Sequence, residues 1–330
     1  MGSAMEHSLS KRAWVARILV IAGAAGGAAC GSDGAPPADA SADAPSDAQA
    51  PDAAVLDAAA DAGDDVQASV RRPFLVGSAL RAAEATERDD WSDAMPPAPD
   101  LDDATRAALA RAWLDDALQE HASIAAFARF SMMLLAAGAP AELVEGSQRA
   151  ALDEIRHARA CFSLARRYGA PASGPAELRV DDAMAPMSLA ELAALTAEEG
   201  CVGETLGALL AEEQAARATD LACASLLRRI ARDETRHAEL AWRFVAWAVA
   251  RGGAGVARAV EIAIDRACRK TLAMHVRPLA VDAAAWSAHG RLACAEARAI
   301  AARGIAEIVG PAARSLGLGV RAAAQTVARA

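Results

Sequence analysis

The sequence predicts an all-α protein built around four long helices. Hydrophobic residues make up 54% of the 330 residues, but most of them are alanine, and aromatic residues account for only 4%. β-Branched or aromatic runs of strand length are almost absent. Larger apolar residues instead recur mostly at three- and four-residue steps, which is the periodicity of helices that bury one face.

The first pair of helices is predicted between residues 103 and 168. A helical pattern begins at Asp103 and runs to Gly138, and Pro140 suits the first position of a second helix. This second helix is expected to continue to Tyr168 and to end at Gly169. The short connection indicates that the two helices form an antiparallel hairpin.

A second pair follows the stretch from Gly169 to Met187, which contains several prolines and glycines and is long enough to be a crossover. Ser188 and Glu191 are expected to form a capping box for the third helix, which is expected to run to about Ala218. Asp220 is the expected N-cap of the fourth helix, which should end at Gly252-Gly253. Two more helical stretches, at 254–274 and 282–308, are expected to cover one side of the bundle.

The first hundred residues are too poor in large apolar side chains to build a core of their own. We therefore expect one globular domain. The predicted organisation is a signal peptide at 1–30, a disordered linker at 31–70, a partly ordered lead-in at 71–100, the helical domain at 101–310 and a tail at 311–330.

The N-terminus has the layout of a bacterial export signal. Lys11, Arg12 and Arg17 precede an apolar stretch that is too short to span a membrane. The residues 27–30 resemble a lipoprotein lipobox, although Gly27 stands where leucine is usual. The resemblance implies lipidation of Cys30, attachment to the membrane through that lipid, and an exported location in the cell envelope, on the periplasmic or the surface side.

The linker carries the net charge of the chain. It contains nine aspartates and no basic residue, and the formal net charge of the whole chain is −9. A segment of this composition cannot bury enough apolar surface to fold, so we expect an extended, self-repelling tether. The rest of the chain is electrically balanced and has no basic stripe, which argues against nucleic-acid binding.

Two near-copies of one motif carry the chemistry. They read DEIRHA from Asp153 and DETRHA from Asp233, and each lies in the second helix of its hairpin. Residues three apart share a helix face, so the Glu and His of each copy can point to one place. One further glutamate from each remaining helix can complete a two-metal site. The candidate metal ligands are Glu120, Glu154, His157, Glu204, Glu234 and His237.

Counting the helical rise tests whether these residues lie at one level. Glu204 lies roughly 22 Å from the end of its helix and Glu234 roughly 21 Å from the start of the next, so the two match. Glu120 and Glu154 differ by about one turn, which a loop or tilt can absorb. Glu199 competes with Glu204, but in an α-helix five residues turn it about 140° away, so Glu204 is preferred.

The order E…DExRH…E…DExRH resembles the di-iron carboxylate proteins of the ferritin-like superfamily over about residues 115–250. The resemblance implies a ferritin-like four-helix bundle with two iron ions, although manganese or a mixed pair also suits these ligands. It also implies that Asp153 orients His237 and Asp233 orients His157, with Arg156 and Arg236 balancing the aspartates.

Dioxygen or peroxide is the expected reactant of such a centre, with an unidentified electron donor and substrate. An oxidase or oxygenase is therefore expected, and the alternative is a metal-binding or structural envelope protein without catalysis. His121, His275 and His289 are not expected to bind the metals. Tyr168 lies about 16 Å along the helix from His157, which argues against a tyrosyl-radical generator.

Overall fold

The predicted all-α class is confirmed by the computed structural model, which describes residues 20, 73–77, 79–98 and 101–321. The helices α1 to α8 have the bounds Asp103–Ala136, Ala141–Arg167, Leu189–Thr196, Thr205–Arg217, Leu221–Ala273, Ala283–Ala288, Cys294–Gly304 and Gly310–Ser315. Two π-helical segments, Ala197–Glu204 and Ile305–Val309, join α3 to α4 and α7 to α8. Because the backbone stays helical at both ends of the first π segment, α3, this segment and α4 form one continuous rod.

The long helices form two hairpins that pack on each other. Helix α1 lies along α2, the rod of α3 and α4 lies along α5, and α2 also contacts α5. Two apolar clusters fill the interior at different levels. The first includes Phe127, Leu206 and Phe244, whereas the second includes Trp113, Phe162 and Leu227. Along α2 and α5, the Glu and His residues of the two DExRH motifs lie between residues of the first cluster and residues of the second.

The predicted start signals of α3 and α5 are confirmed, whereas Pro140 is the N-cap of α2 and not its first residue. Ser188 and Glu191 form a reciprocal capping box, with Glu191 Oε2 accepting a 2.8 Å hydrogen bond from the Ser188 amide. Asp220 caps α5 by accepting from the Cys223 amide at 3.0 Å. Each cap satisfies backbone N–H groups that have no partner inside the helix.

The lead-in contains short strands. Strands β1 (Leu75–Val76) and β2 (Ala79–Leu80) form one antiparallel pair, and β3 (Ala85–Glu87) pairs with β4 (Ser173–Pro175) of the crossover. These strands are too short for a sequence pattern to identify.

The lead-in is also attached to the helices through side chains. Phe74 is 1% exposed and packs with Ala122 and Ala126 of α1. Ser163 Oγ of α2 accepts a 2.9 Å hydrogen bond from the Asp93 amide. The lead-in is therefore fixed to both helices of the first hairpin.

The C-terminal helices differ in part from the expectation. Helix α5 breaks at Gly253, whose φ of 61° and ψ of −150° are open to glycine alone, so the predicted end near this residue is confirmed. The prediction of one helix over 282–308 is wrong, because the chain leaves the helix between α6 and α7. Gly290 turns there with a φ of 80°, which is a left-handed conformation that favours glycine.

The predicted signal peptide, the lipidation site Cys30 and the acidic linker lie outside the described residues, apart from Val20. None of the helices in the described part of the chain has both the length and the apolar character that a membrane span requires. No disulfide joins the cysteines of this part either.

Candidate metal centre

The structure brings the six candidate ligands together from four helical segments. Helix α1 supplies Glu120, α2 supplies Glu154 and His157, the first π segment supplies Glu204, and α5 supplies Glu234 and His237. Each of the six residues is at most 4% exposed. So many ionisable groups without exposure to water require partners of opposite charge, protons or cations.

The ligand atoms form two overlapping groups. One contains Glu120, Glu154, His157 and Glu234, and the other contains Glu154, Glu204, Glu234 and His237. Within each group, one ligand atom from every residue lies within 4.8 Å of the others. Glu154 and Glu234 belong to both groups, so these buried groups could hold one metal ion each and share two carboxylates.

Both imidazoles turn the same nitrogen toward the shared carboxylates. His157 Nδ1 lies 3.5 Å from Glu154 Oε2 and 3.7 Å from Glu234 Oε1. His237 Nδ1 lies 3.1 Å from Glu154 Oε1 and 3.6 Å from Glu234 Oε2. The ring centroids are 6.3 Å apart, so the two imidazoles flank the carboxylates.

The outer nitrogen of each imidazole meets an aspartate from the opposite helix. His157 Nε2 is 3.1 Å from Asp233 Oδ2, and His237 Nε2 is 3.3 Å from Asp153 Oδ2. A proton on each Nε2 would be donated to the aspartate and would leave Nδ1 as the lone-pair atom that a metal needs. The aspartates therefore hold the rings in the orientation that turns Nδ1 inward.

Two arginines lie at the outer edge of these aspartates. Arg236 Nη2 is 3.0 Å from Asp153 Oδ2 and 2.8 Å from Asp233 Oδ1. Arg156 also pairs with Asp153. Both arginine side chains are about half exposed, so their charges reach solvent while they hold the aspartates ionised.

Charge compensation among the buried groups shifts their pKa values strongly. Burial alone would raise the pKa of Glu154, but the imidazoles of His157 and His237 lower it to about 2. Burial would lower the pKa of His157, yet Asp233 and Glu154 raise it to about 9, and the pKa of His237 is likewise raised, by Asp153 and Glu154 against burial. Burial and the charge of Glu234 raise the pKa of Glu204. In the absence of metal, protons on the two imidazoles and on Glu204 therefore offset the negative charge of the buried carboxylates.

Orphaned polar atoms show that these residues fit a cation. Glu154 Oε2, Glu204 Oε1 and the Nδ1 atoms of His157 and His237 are buried and have no hydrogen-bond partner within the described part of the chain. Most buried polar atoms in proteins do have a partner. Since all four are lone-pair donors that point into one polar centre, metal ions of the class that prefers oxygen and nitrogen would satisfy them.

Glu199 is placed differently from the expectation. The angle of about 140° from Glu204 assumed an α-helix and is wrong, because the segment is π-helical and its i→i+5 hydrogen-bond pattern turns residue i+5 closer to the face of residue i. Glu199 is 1% exposed, and its Oε1 lies 3.2 Å from Arg129 Nη2. Glu204, not Glu199, belongs to the ligand groups among the described residues.

Sequence reasoning missed Arg129, which is 4% exposed. Its guanidinium lies 5.0 Å from the centre of the Phe74 ring and donates to the Leu75 carbonyl. The available signal was its position on the apolar face of α1, between Phe127 and Phe130, where a charged residue needs a buried partner. Arg129 thus links the lead-in to the π segment that carries Glu204.

The remaining candidates lie away from the ligand groups. His121 is partly buried and packs edge-on against Trp91 at 5.2 Å between ring centroids. His275 is exposed, whereas His289 is buried and its Nδ1 lies 2.7 Å from the Tyr168 hydroxyl.

No family model, curated protein or solved structure that was compared with the chain matches it.

Proposed function

We propose that this chain is a ferritin-like di-metal protein that holds two iron ions and uses them to react with dioxygen or peroxide. The observation that supports the proposal best is the overlap of the two ligand groups. Glu154 and Glu234 are shared, while each group has one further glutamate and one histidine of its own. Paired metals held in this way are typical of carboxylate sites inside helical bundles.

When bound, two iron ions would supply two-electron redox chemistry toward dioxygen or peroxide. Glu154 and Glu234, which belong to both ligand groups, would help to hold both ions, whereas Glu120 with His157 and Glu204 with His237 would each help to hold one. Manganese or a mixed pair would suit the same oxygen and nitrogen donors.

The protein's own part is to hold this centre rigid, dry and neutral. The apolar clusters above and below exclude water from the carboxylates. Asp153 and Asp233 would accept hydrogen bonds from Nε2 of His237 and His157. These hydrogen bonds would hold both imidazoles in the tautomer whose Nδ1 is free to bind metal. Protons that Glu204 and the imidazoles hold in the metal-free state would leave as metal enters, because ligands must be deprotonated.

The test is to load the purified chain with ferrous iron without oxygen, to measure bound iron, and then to follow oxygen uptake. Two irons per chain and rapid oxygen consumption support the proposal. Glu154→Ala and His237→Ala should abolish loading, while His289→Ala should not. Equal loss in all three variants would contradict the site assignment, and tight binding without oxygen uptake would favour a non-catalytic metal protein.

We further propose that the protein is exported and attached to the envelope membrane by lipid on Cys30. The basis is the basic and apolar N-terminal sequence followed by Gly27-Ala28-Ala29-Cys30. Cells that express the full chain should incorporate labelled palmitate into it, and Cys30→Ala should abolish the label. Equal labelling of both proteins would refute the anchor and leave the metal proposal untouched.

A further inference from the structure

A second group of metal-binding side chains lies at the start of α5, outside the di-metal centre. Asp220, Cys223 and His289 each place one ligand atom within 4.8 Å of the others. Tyr168 joins them, since its hydroxyl is 2.7 Å from His289 Nδ1 and 3.1 Å from Cys223 Sγ. We propose that this group is a separate site for one zinc-class ion, with Cys223, His289 and Asp220 as ligands and Tyr168 as the fourth group.

The donor set indicates the class of ion. A thiolate, an imidazole and a carboxylate are the ligands that zinc takes in four-coordinate sites. The di-metal centre has no cysteine among its ligand groups, so the two sites differ in chemistry. The soft sulfur ligand therefore favours zinc here over the ions that suit an all-oxygen-and-nitrogen centre.

The backbone around the group is fixed. The amides of Thr219 and Asp220 both donate to the Ala288 carbonyl at 3.0 Å, which ties the start of α5 to the loop that carries His289. Gly290 allows this loop to approach closely, because a Cβ there would lie 2.5 Å from Leu227 Cδ1. The ligands consequently come from two segments that are already held together without metal.

An entry route is also available. A cleft of about 500 Å³ beside the group is lined by Asp220, His289 and Arg167. Arg167 donates to both oxygens of Asp220 at 2.8 Å, and Oδ1 also accepts from the Cys223 amide, so the second lone pair of Oδ2 is the one that can still reach an ion.

Cys223 and His289 are 0% and 5% exposed, and burial raises the pKa of the Cys223 thiol to about 12, so the thiol is protonated before an ion arrives. Binding would transfer that proton to solvent, and the thiolate would then offset one of the two charges of the ion, because Arg167 already pairs with Asp220.

Cobalt(II), added to the purified full chain, tests the proposal, because it takes zinc sites and gives an intense near-ultraviolet band only when a thiolate binds it. We expect this band in the wild-type protein and its loss when zinc is added. Cys223→Ser and His289→Gln should each abolish it. Cys268→Ser is the matched control, since Cys268 lies on the same helix, is equally buried and has a pKa that burial raises to about 12 as well.

The wild-type result decides the matter even if a variant fails to fold. Absence of the band in wild-type protein, or its persistence in folded Cys223→Ser, overturns the second site. Glu154→Gln, which removes a shared carboxylate of the other centre, should leave the band intact. Failure of the di-iron proposal and failure of the zinc proposal are thus measured separately.

Discussion

At the scale of single residues, each buried imidazole is oriented by an aspartate from the opposite helix. Asp153 of α2 meets His237 of α5, while Asp233 of α5 meets His157 of α2. Each contact fixes the tautomer and raises the basicity of a histidine that faces the buried carboxylates. We therefore expect the outer aspartates to influence metal affinity through the imidazoles that they orient.

We expect Asp153→Asn to weaken metal binding by about 10- to 100-fold, the usual effect of losing such an orienting contact. The amide keeps the shape of the side chain but loses the charge that the His237 ring and Arg236 share. Manganese titration against a coloured chelator measures the change. Asp181→Asn, at an exposed crossover position, is the control and should bind as the wild type does. Unchanged affinity in Asp153→Asn would contradict the orienting role.

Because of Asp220, the free energy of unfolding should depend on pH in the acid range. Burial would raise its pKa, but hydrogen bonds from Arg167 and the Cys223 amide lower it to about 2. The pKa of Asp220 in the folded protein lies below its unfolded value of about 4. The stabilisation that the ionised Asp220 provides is therefore complete above about pH 4 and is lost as the pH falls toward about 2.

The variant Asp220→Asn isolates this contribution, because asparagine still caps α5 but cannot pair with Arg167 as an ion. Urea unfolding should show a larger difference in unfolding free energy between wild type and variant at pH 6 than at pH 3. A difference that is the same at both pH values would contradict the assignment.

At the scale of elements, regular helices were predictable and deviations from regularity were not. Capping residues and helical rise indicated where the hairpins turn and that Glu204 and Glu234 lie level, because both depend on local sequence and constant geometry. The π segment was missed, since no propensity separates it from an α-helix, and with it the burial of Glu199. The strands of the lead-in were missed because pairing with the crossover, not their own pattern, forms them.

The break in α5 gives a prediction about two nearby glycines. Gly253 has a φ of 61° and Gly255 is helical, and a Cβ would meet nothing within 4 Å at either position. Gly253→Ala should therefore destabilise the protein by about 1–3 kcal/mol through backbone strain alone. Gly255→Ala should stabilise it by up to about 1 kcal/mol, because alanine favours helix. Urea unfolding of both variants measures this; the same sign for both would contradict the conformation described at Gly253.

At the scale of the whole molecule, a layer of buried charge separates two apolar clusters. The charged layer contains four glutamates and two histidines, and it holds the hairpins together only when protons or cations balance it. Metal should therefore act as a ligand of the folded state.

We expect manganese at about 100 times its dissociation constant to stabilise the fold by about 2.7 kcal/mol over the chelator-treated protein. Thermal unfolding with and without metal measures the shift. Glu154→Gln should lose most of this gain, whereas Glu145→Gln, at an exposed position on the same helix, should keep it. Equal gains in both variants would mean that the metal binds elsewhere.

Because each imidazole is oriented by an aspartate of the other hairpin, neither hairpin should be able to bind metal alone. A polypeptide that stops within the crossover would contain His157 but not Asp233, and its counterpart would contain His237 but not Asp153. Co-expression of the two fragments should restore metal uptake that each lacks separately, so cleavage in the crossover would leave two complementary pieces of a single binding unit.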